Sequence, residues 1–204
     1  MTVHVSASSI SVPAPAPAPV SRFPVPTLES LDDDLRAVIL AVQEKAGFVP
    51  NVFLALAHRP AELRAFLAYH DALMEREGNL TVIEREMIAL VISSANQCQY
   101  CVIAHGAILR VRARNPLISD QLIGNYRKAD ITPRQKAILT FALQVNAAAH
   151  EIGEADLEPL YALGLDQEDI WDISAITGLF GFSNRMGNIL NLRANPEFYA
   201  LGRG

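Results

Sequence analysis

The two cysteines among the 204 residues stand together as Cys98-Gln-Tyr-Cys101, with His105 four residues after the second and Glu86 twelve before the first. Thiols at this spacing can hold a metal, form a reversible disulfide or fill a core. On one helix Cys98, Cys101 and His105 fall at i, i+3 and i+7, within an arc of about 60°, and share a face. Glu86 cannot join them on the same straight helix, because twelve residues rise about 18 Å along the axis.

A break at "SSANQ" removes the difficulty. Ser93, Ser94 and Asn96 compete for backbone hydrogen bonds, and Asn96 is a good N-cap for a new helix. The expected fold is a helical hairpin in which Glu86 and His105 reach about the same height on facing helices. The new helix start places both cysteines near unsatisfied amides and the positive dipole end, which favours thiolate over thiol. His105 can then receive or pass a proton, and Glu86 can orient its ring or extend the relay.

Each residue also has a plainer reading. Two cysteines three apart on an apolar face occur in cores without function, and a lone histidine or glutamate on a helix is ordinarily structural. Two thiolates, an imidazole and a carboxylate would also satisfy tetrahedral zinc. Structural zinc, however, draws its second pair from a second knuckle, and no third cysteine exists. Covalent haem attachment fails because Val102, and not histidine, follows the second cysteine.

The elements that must position these residues are helical. From Leu28 onward the apolar spacing follows a helical period, which predicts an all-α fold. A first helix is expected from near Leu31 to Gly47, with Asp32, Asp33 and Asp34 at its start. A second runs from about Pro60 to Glu77, stopped by Gly78 and Asn79. Thr81 opens a third, with Glu84 in capping-box spacing. "NPLISDQL" reads as a connection and short helix, "ITPRQKAILTFALQVNAA" as a helix capped by Thr132 with Pro133 in its first turn, and the stretch from Leu163 to Leu192 as acidic helix starts and apolar runs. A weak similarity at an offset of 51 sets Glu86 opposite Ala137 and suggests a duplicated helix pair carrying acidic chemistry in one copy.

Residues 1–21 contain "VPAPAPAPV" and read as an extended, polyproline-like tail, leaving residues 22–204 as one helical domain. Half the residues are hydrophobic and 19% charged, with a net charge of −5 and no basic cluster, which argues against nucleic acid as a partner. No apolar stretch approaches the length of a membrane span. The N-terminus lacks the pattern of a secretory signal, so a cytoplasmic, reducing setting is expected, where a close cysteine pair is more often catalytic or metal-binding than a permanent staple.

Glu86, the eleven residues after it, Cys98-Gln-Tyr-Cys101, three more residues and His105 together resemble the active-site pattern of the alkyl hydroperoxidase D-like enzymes of the carboxymuconolactone decarboxylase superfamily. The resemblance is specific over about Thr81 to Leu109. It extends more loosely to "PNVFLALAHRP", "ITPRQKAILTFA" and "FSNRMGNILNLRANPEFYALGR", so that most of residues 25–203 are similar to the longer, peroxidase-related branch. The resemblance implies an all-helical, homo-oligomeric, thiol-dependent peroxidase needing neither metal nor flavin. It would act on hydrogen peroxide or organic hydroperoxides and be recycled by an external dithiol. By position, Cys101 would attack the peroxide, Cys98 would resolve the sulfenic acid as a disulfide, and His105 with Glu86 would relay protons. Tyr100 stands where some members carry a histidine, and it is expected to wall the pocket or lend a hydrogen bond. Asn184 and Arg185 read as packing or subunit-contact residues, and apolar stretches such as "IWDISAITGLFGF" suggest a subunit interface. A decarboxylase-like lyase and a thiol redox sensor are the alternatives.

Overall fold

Local side-chain chemistry determines where the main helices begin. In the structure, a computed structural model that describes residues 19–204, α4 (Val82–Ala95), α7 (Pro133–Ala148) and α9 (Gln167–Ile189) each open on a reciprocal cap. Thr81 Oγ1 accepts the Glu84 N–H at 3.1 Å while Glu84 Oε2 accepts the Thr81 N–H at 2.9 Å, satisfying two donors that a helix start leaves free. Thr132 with Gln135 and Asp166 with Asp169 do the same. The remaining helices are α1 (Asp33–Ala46), α2 (Asn51–Leu56), α3 (Pro60–Met74), α5 (Gln99–Ala113), α6 (Ile118–Asn125), α8 (Glu154–Tyr161) and α10 (Glu197–Ala200). The fold is all-α, and no strand occurs among the described residues. The expected Ala/Pro-rich tail falls, up to residue 18, outside the described residues. Val20 and Arg22 already hydrogen-bond by their backbones to Arg193 and Leu190.

α4 is the organising element. Residues 84–93 are all buried, because α5, α7 and α9 pack around it. A helix enclosed on all sides is expected to be apolar all round, yet this one carries Glu84, Arg85, Glu86 and Ser93 inside. Each is paired. Arg85, with no exposed surface, places Nη2 2.9 Å from Asp172 Oδ2 on α9 and donates from Nη1 to the Leu73 carbonyl at 2.6 Å. Arg76 reaches the other oxygen of Asp172 at 2.9 Å. These bonds explain why α3 stops at Met74 and not at Glu77: the chain must turn there for Arg76 to meet α9.

The caps of α4 and α7 repeat at the offset of 51, and α5 and α8 fold back on their respective partners. Ala137, opposite Glu86, brings no charge to the second pair. The stretch "IWDISAITGLFGF" divides its apolar groups: Ile173, Ile176, Leu179 and Phe180 are buried within the chain, whereas Trp171 and Phe182 face outward. At the C-terminus Arg110 of α5 donates to the carbonyls of Leu201 and Phe198 at 3.0 and 2.9 Å, pinning α10 beside the site. Among the described residues no helix is long and apolar enough to cross a membrane.

Candidate active site

The α4–α5 hairpin forms with a detail the sequence reading placed differently. Asn96 does not start α5; it closes α4, its N–H donating to the Ile92 carbonyl at 2.9 Å. Gln97 then takes a left-handed conformation (φ +54°), and Cys98 itself is the N-cap of α5, its Sγ accepting the Cys101 N–H at 3.4 Å. The Asn96 side chain is engaged elsewhere: its amide donates to Asn146 on α7 at 3.1 Å and to Asn184 on α9 at 3.0 Å. A brace among three helices outcompetes a cap.

The hairpin brings Glu86 and His105 together. Glu86 Oε2 accepts from His105 Nδ1 at 2.9 Å, which leaves Nε2 as the nitrogen free for chemistry. Glu86 is 3% exposed, and its other oxygen lies 3.8 Å from Arg112 Nε, so the buried carboxylate has a cationic neighbour. The His105 ring stands edge-on to Phe180, centroids 4.6 Å apart.

Both cysteines are free and buried. The Cys98 thiol is lowered from 9.0 to about 7, chiefly by the hydrogen bond from the Cys101 thiol and then by the Cys101 amide, Asn184 and the charge of His105, against the opposing effect of burial. Cys101 is pushed upward by the same thiol contact, by burial and by the charge on Cys98. Physically, the pair gives up one proton easily and holds the other tightly, because a second negative charge would lie against the first.

The two sulfurs differ in what they face. Cys101 lines a cavity of about 260 Å³ together with Tyr100, His105, His70 and Ser183 and an otherwise apolar wall from α1, α2, α3, α9 and the C-terminal segment. Cys98 does not line it and sits behind, at 0% exposure. Tyr100 forms part of the wall, and its hydroxyl accepts the Val52 N–H at 3.2 Å. Burial pushes that phenol upward and keeps it neutral.

In backbone, the structure of the alkylhydroperoxidase AhpD core from Ralstonia eutropha JMP134, an uncharacterized peroxidase-related protein, superposes with a TM-score of 0.91 at 60% identity, over 92% of this chain and 99% of that one. The chain belongs to the AhpD-like, carboxymuconolactone decarboxylase superfamily. An uncharacterized peroxidase-related protein from Silicibacter sp. TM1040 is similar at 39% identity and a TM-score of 0.87, over 92% and 98% of the two chains. The debrominase Bmp8 in complex with 2,3,4-tribromopyrrole shares the fold at 20% identity and a TM-score of 0.71, over 89% of this chain and 97% of that one. The Carboxymuconolactone decarboxylase family matches residues 60–115, which span α3 through α5. No curated protein matches the chain.

Within this AhpD-like chain the structure adds residues that spacing along one segment could not supply. Gly187 of α9 abuts the sulfurs so closely that a Cβ there would lie 2.8 Å from Cys98 Sγ and 3.6 Å from Cys101 Sγ. Asn184, one turn earlier and fully buried, donates to Ser93 Oγ at 2.9 Å, and its amide favours the ionised form of both sulfurs. The expectation of a packing or subunit-contact residue is thus met by packing inside the chain, at a place that also adjoins the thiols. Arg185 is on the outer side of the helix, donating to the Gly181 carbonyl at 2.5 Å. Asn184 and Gly187 stand three apart in "FSNRMG" and share a helical face, but nothing within that stretch tells that the face meets the thiols. Among the described residues no group of three or more His, Cys, Asp or Glu gathers as a metal-ligating set.

Proposed function

We propose that the chain is a thiol-dependent peroxidase that reduces hydrogen peroxide or organic hydroperoxides. The observation that carries this reading is the arrangement of one cavity-facing sulfur, Cys101, with a readily ionised sulfur, Cys98, behind it and the His105–Glu86 pair one turn along. The peroxidase-related names of the two neighbours at 60% and 39% identity support it.

The cycle is thiol chemistry throughout. With one negative charge on the pair, Cys98 takes the proton that Cys101 holds, and the Cys101 thiolate attacks the terminal oxygen of the hydroperoxide. The S–O bond forms, the O–O bond breaks, and an alcohol leaves once its oxygen is protonated. Cys101 is now a sulfenic acid. Cys98 gives its proton to the His105–Glu86 relay and attacks the Cys101 sulfur, and the expelled hydroxide leaves as water with a proton from His105. One organic hydroperoxide has become an alcohol and water, or one hydrogen peroxide two waters, and two thiols have become a disulfide. An external dithiol then attacks the cavity-facing sulfur and carries the disulfide away by exchange.

The test is peroxide consumption by the full chain with a dithiol reductant, beside Cys101→Ser. Loss of turnover in the variant is expected; turnover equal to that of the wild-type chain would sink the assignment.

A further inference from the structure

His70 is the cavity's other imidazole, and the cycle above does not use it. It comes from α3, whose packed neighbours are α2, α4 and α9, whereas Cys101 and His105 come from α5; both helices line the same cavity of about 260 Å³. The wall is otherwise apolar apart from Ser183 and Tyr100, whose hydroxyl oxygen accepts the Val52 N–H and which stands on α5 beside Cys101. His70 Nδ1 lies 3.1 Å from Asp71 Oδ1, an exposed carboxylate outside the cavity lining, so Nε2 is the nitrogen left for a ligand. Its side chain is 28% exposed, so water can restore a proton it gives away.

Thiolate attack on a peroxide is an in-line displacement: sulfur, attacked oxygen and leaving oxygen are collinear. The leaving oxygen therefore points away from Cys101 and from the helix that carries it. His105, one turn along α5 from Cys101, stands beside the nucleophile, and Cys98 stands behind it. A proton donor for the departing alkoxide must come from another wall, where α3 supplies one titratable side chain and an apolar turn formed by Phe66 and Leu67.

We propose that His70 is a second catalytic residue of this peroxidase, the general acid that protonates the leaving alkoxide; the assignment rests on the thiol-peroxidase reading. The thiolate of Cys101 donates an electron pair to the terminal oxygen, the O–O bond breaks toward the alkyl-bearing oxygen, and that oxygen takes the proton of His70 Nε2. Sulfur is oxidised to the sulfenic acid, the peroxide is reduced to an alcohol, and neutral His70 is reprotonated by solvent. His105 remains free to serve the second half of the cycle at the sulfur.

The dependence on the leaving group separates this role from mere packing. An alkoxide is a strong base that needs a proton to leave, whereas the carboxylate released from a peracid is a weak base that does not. The pre-reduced full chain and His70→Gln are mixed with tert-butyl hydroperoxide or peracetic acid, quenched with maleimide on a rapid-mixing device, and the oxidised Cys98–Cys101 pair is counted by mass. The variant is expected to lose roughly 100-fold in rate with tert-butyl hydroperoxide and less than about 5-fold with peracetic acid, the range of a lost general acid. Equal losses with both oxidants, or no loss with the alkyl hydroperoxide, overturn the role. A wild-type chain whose pair both hydrogen peroxide and tert-butyl hydroperoxide leave reduced overturns the peroxidase reading and this one with it, and a pair that only hydrogen peroxide oxidises overturns the alkoxide role alone; both outcomes are visible before the variant is made.

Discussion

Stability of the reduced chain is expected to rise between pH 7 and 9 and to turn over near pH 9, because the folded thiol pair shares one proton. With Cys98 lowered from 9.0 to about 7, the folded state has given up a proton in this window that the unfolded chain still holds, so stability rises with pH. Above pH 9 both unfolded thiols ionise while Cys101 stays protonated in the fold, and the sign reverses. Summing the binding of protons to two thiols at 9.0 unfolded, against one at about 7 and one that does not titrate folded, gives a gain of about 1.5 kcal/mol from pH 7 to pH 9. Other groups also titrate here, so the quantity to measure is the difference from Cys98→Ser. Urea unfolding of both proteins under a non-thiol reductant at half-unit pH steps supplies it. A difference that stays flat, or falls, from pH 7 to 9 would show that the fold does not favour the Cys98 thiolate and would remove the basis for its activating Cys101.

Glu86→Gln keeps the shape but loses the charge opposite His105 Nδ1, and single-turnover oxidation of the pair is expected to slow about 10- to 100-fold, with far-UV circular dichroism unchanged. Gly187→Ala gains about 1 kcal/mol of helix propensity but sets a Cβ 2.8 Å from Cys98 Sγ, an overpacking cost of about 1–3 kcal/mol. Thermal denaturation should therefore move little or downward while alkylation of the pair by iodoacetamide changes clearly; unaltered reactivity of both thiols would contradict the close approach of α9. Asp172→Asn leaves fully buried Arg85 without its counter-charge and is expected to cost about 3–5 kcal/mol in urea unfolding, with a loss below 1 kcal/mol refuting the buried pairing.

Much of the site was legible because its parts lie within one hairpin. Glu86, Cys98, Cys101 and His105 are local in sequence, and helical rise alone requires a turn between the first and the rest. The error over Asn96 has a physical cause. Cap propensity ranks Asn above Cys, but the choice was made by Asn146 and Asn184, whose positions 50 and 88 residues away no local pattern reveals. The short helices α2 and α8 escaped for a related reason: six or eight residues carry too little periodicity, and packing stabilises them instead.

By itself the sequence determined the helical class, the capping box that starts α4, the Thr132 cap of α7, the acidic start of α9, and the grouping of a dithiol with a histidine and a carboxylate. All of these follow from periods and spacings of a few residues. Only the tertiary structure decided which sulfur meets a ligand. Cys98 and Cys101 share a face of α5, and their difference arises when α9 brings Gly187 and Asn184 against Cys98 while α1, α2, α3 and the C-terminal segment leave a cavity over Cys101. It also decided that His70, 31 residues before Cys101 in the chain, belongs to that cavity. A cavity is bounded by several helices at once, and the direction from which each arrives is set by long-range packing, not by the spacing of residues along any one of them.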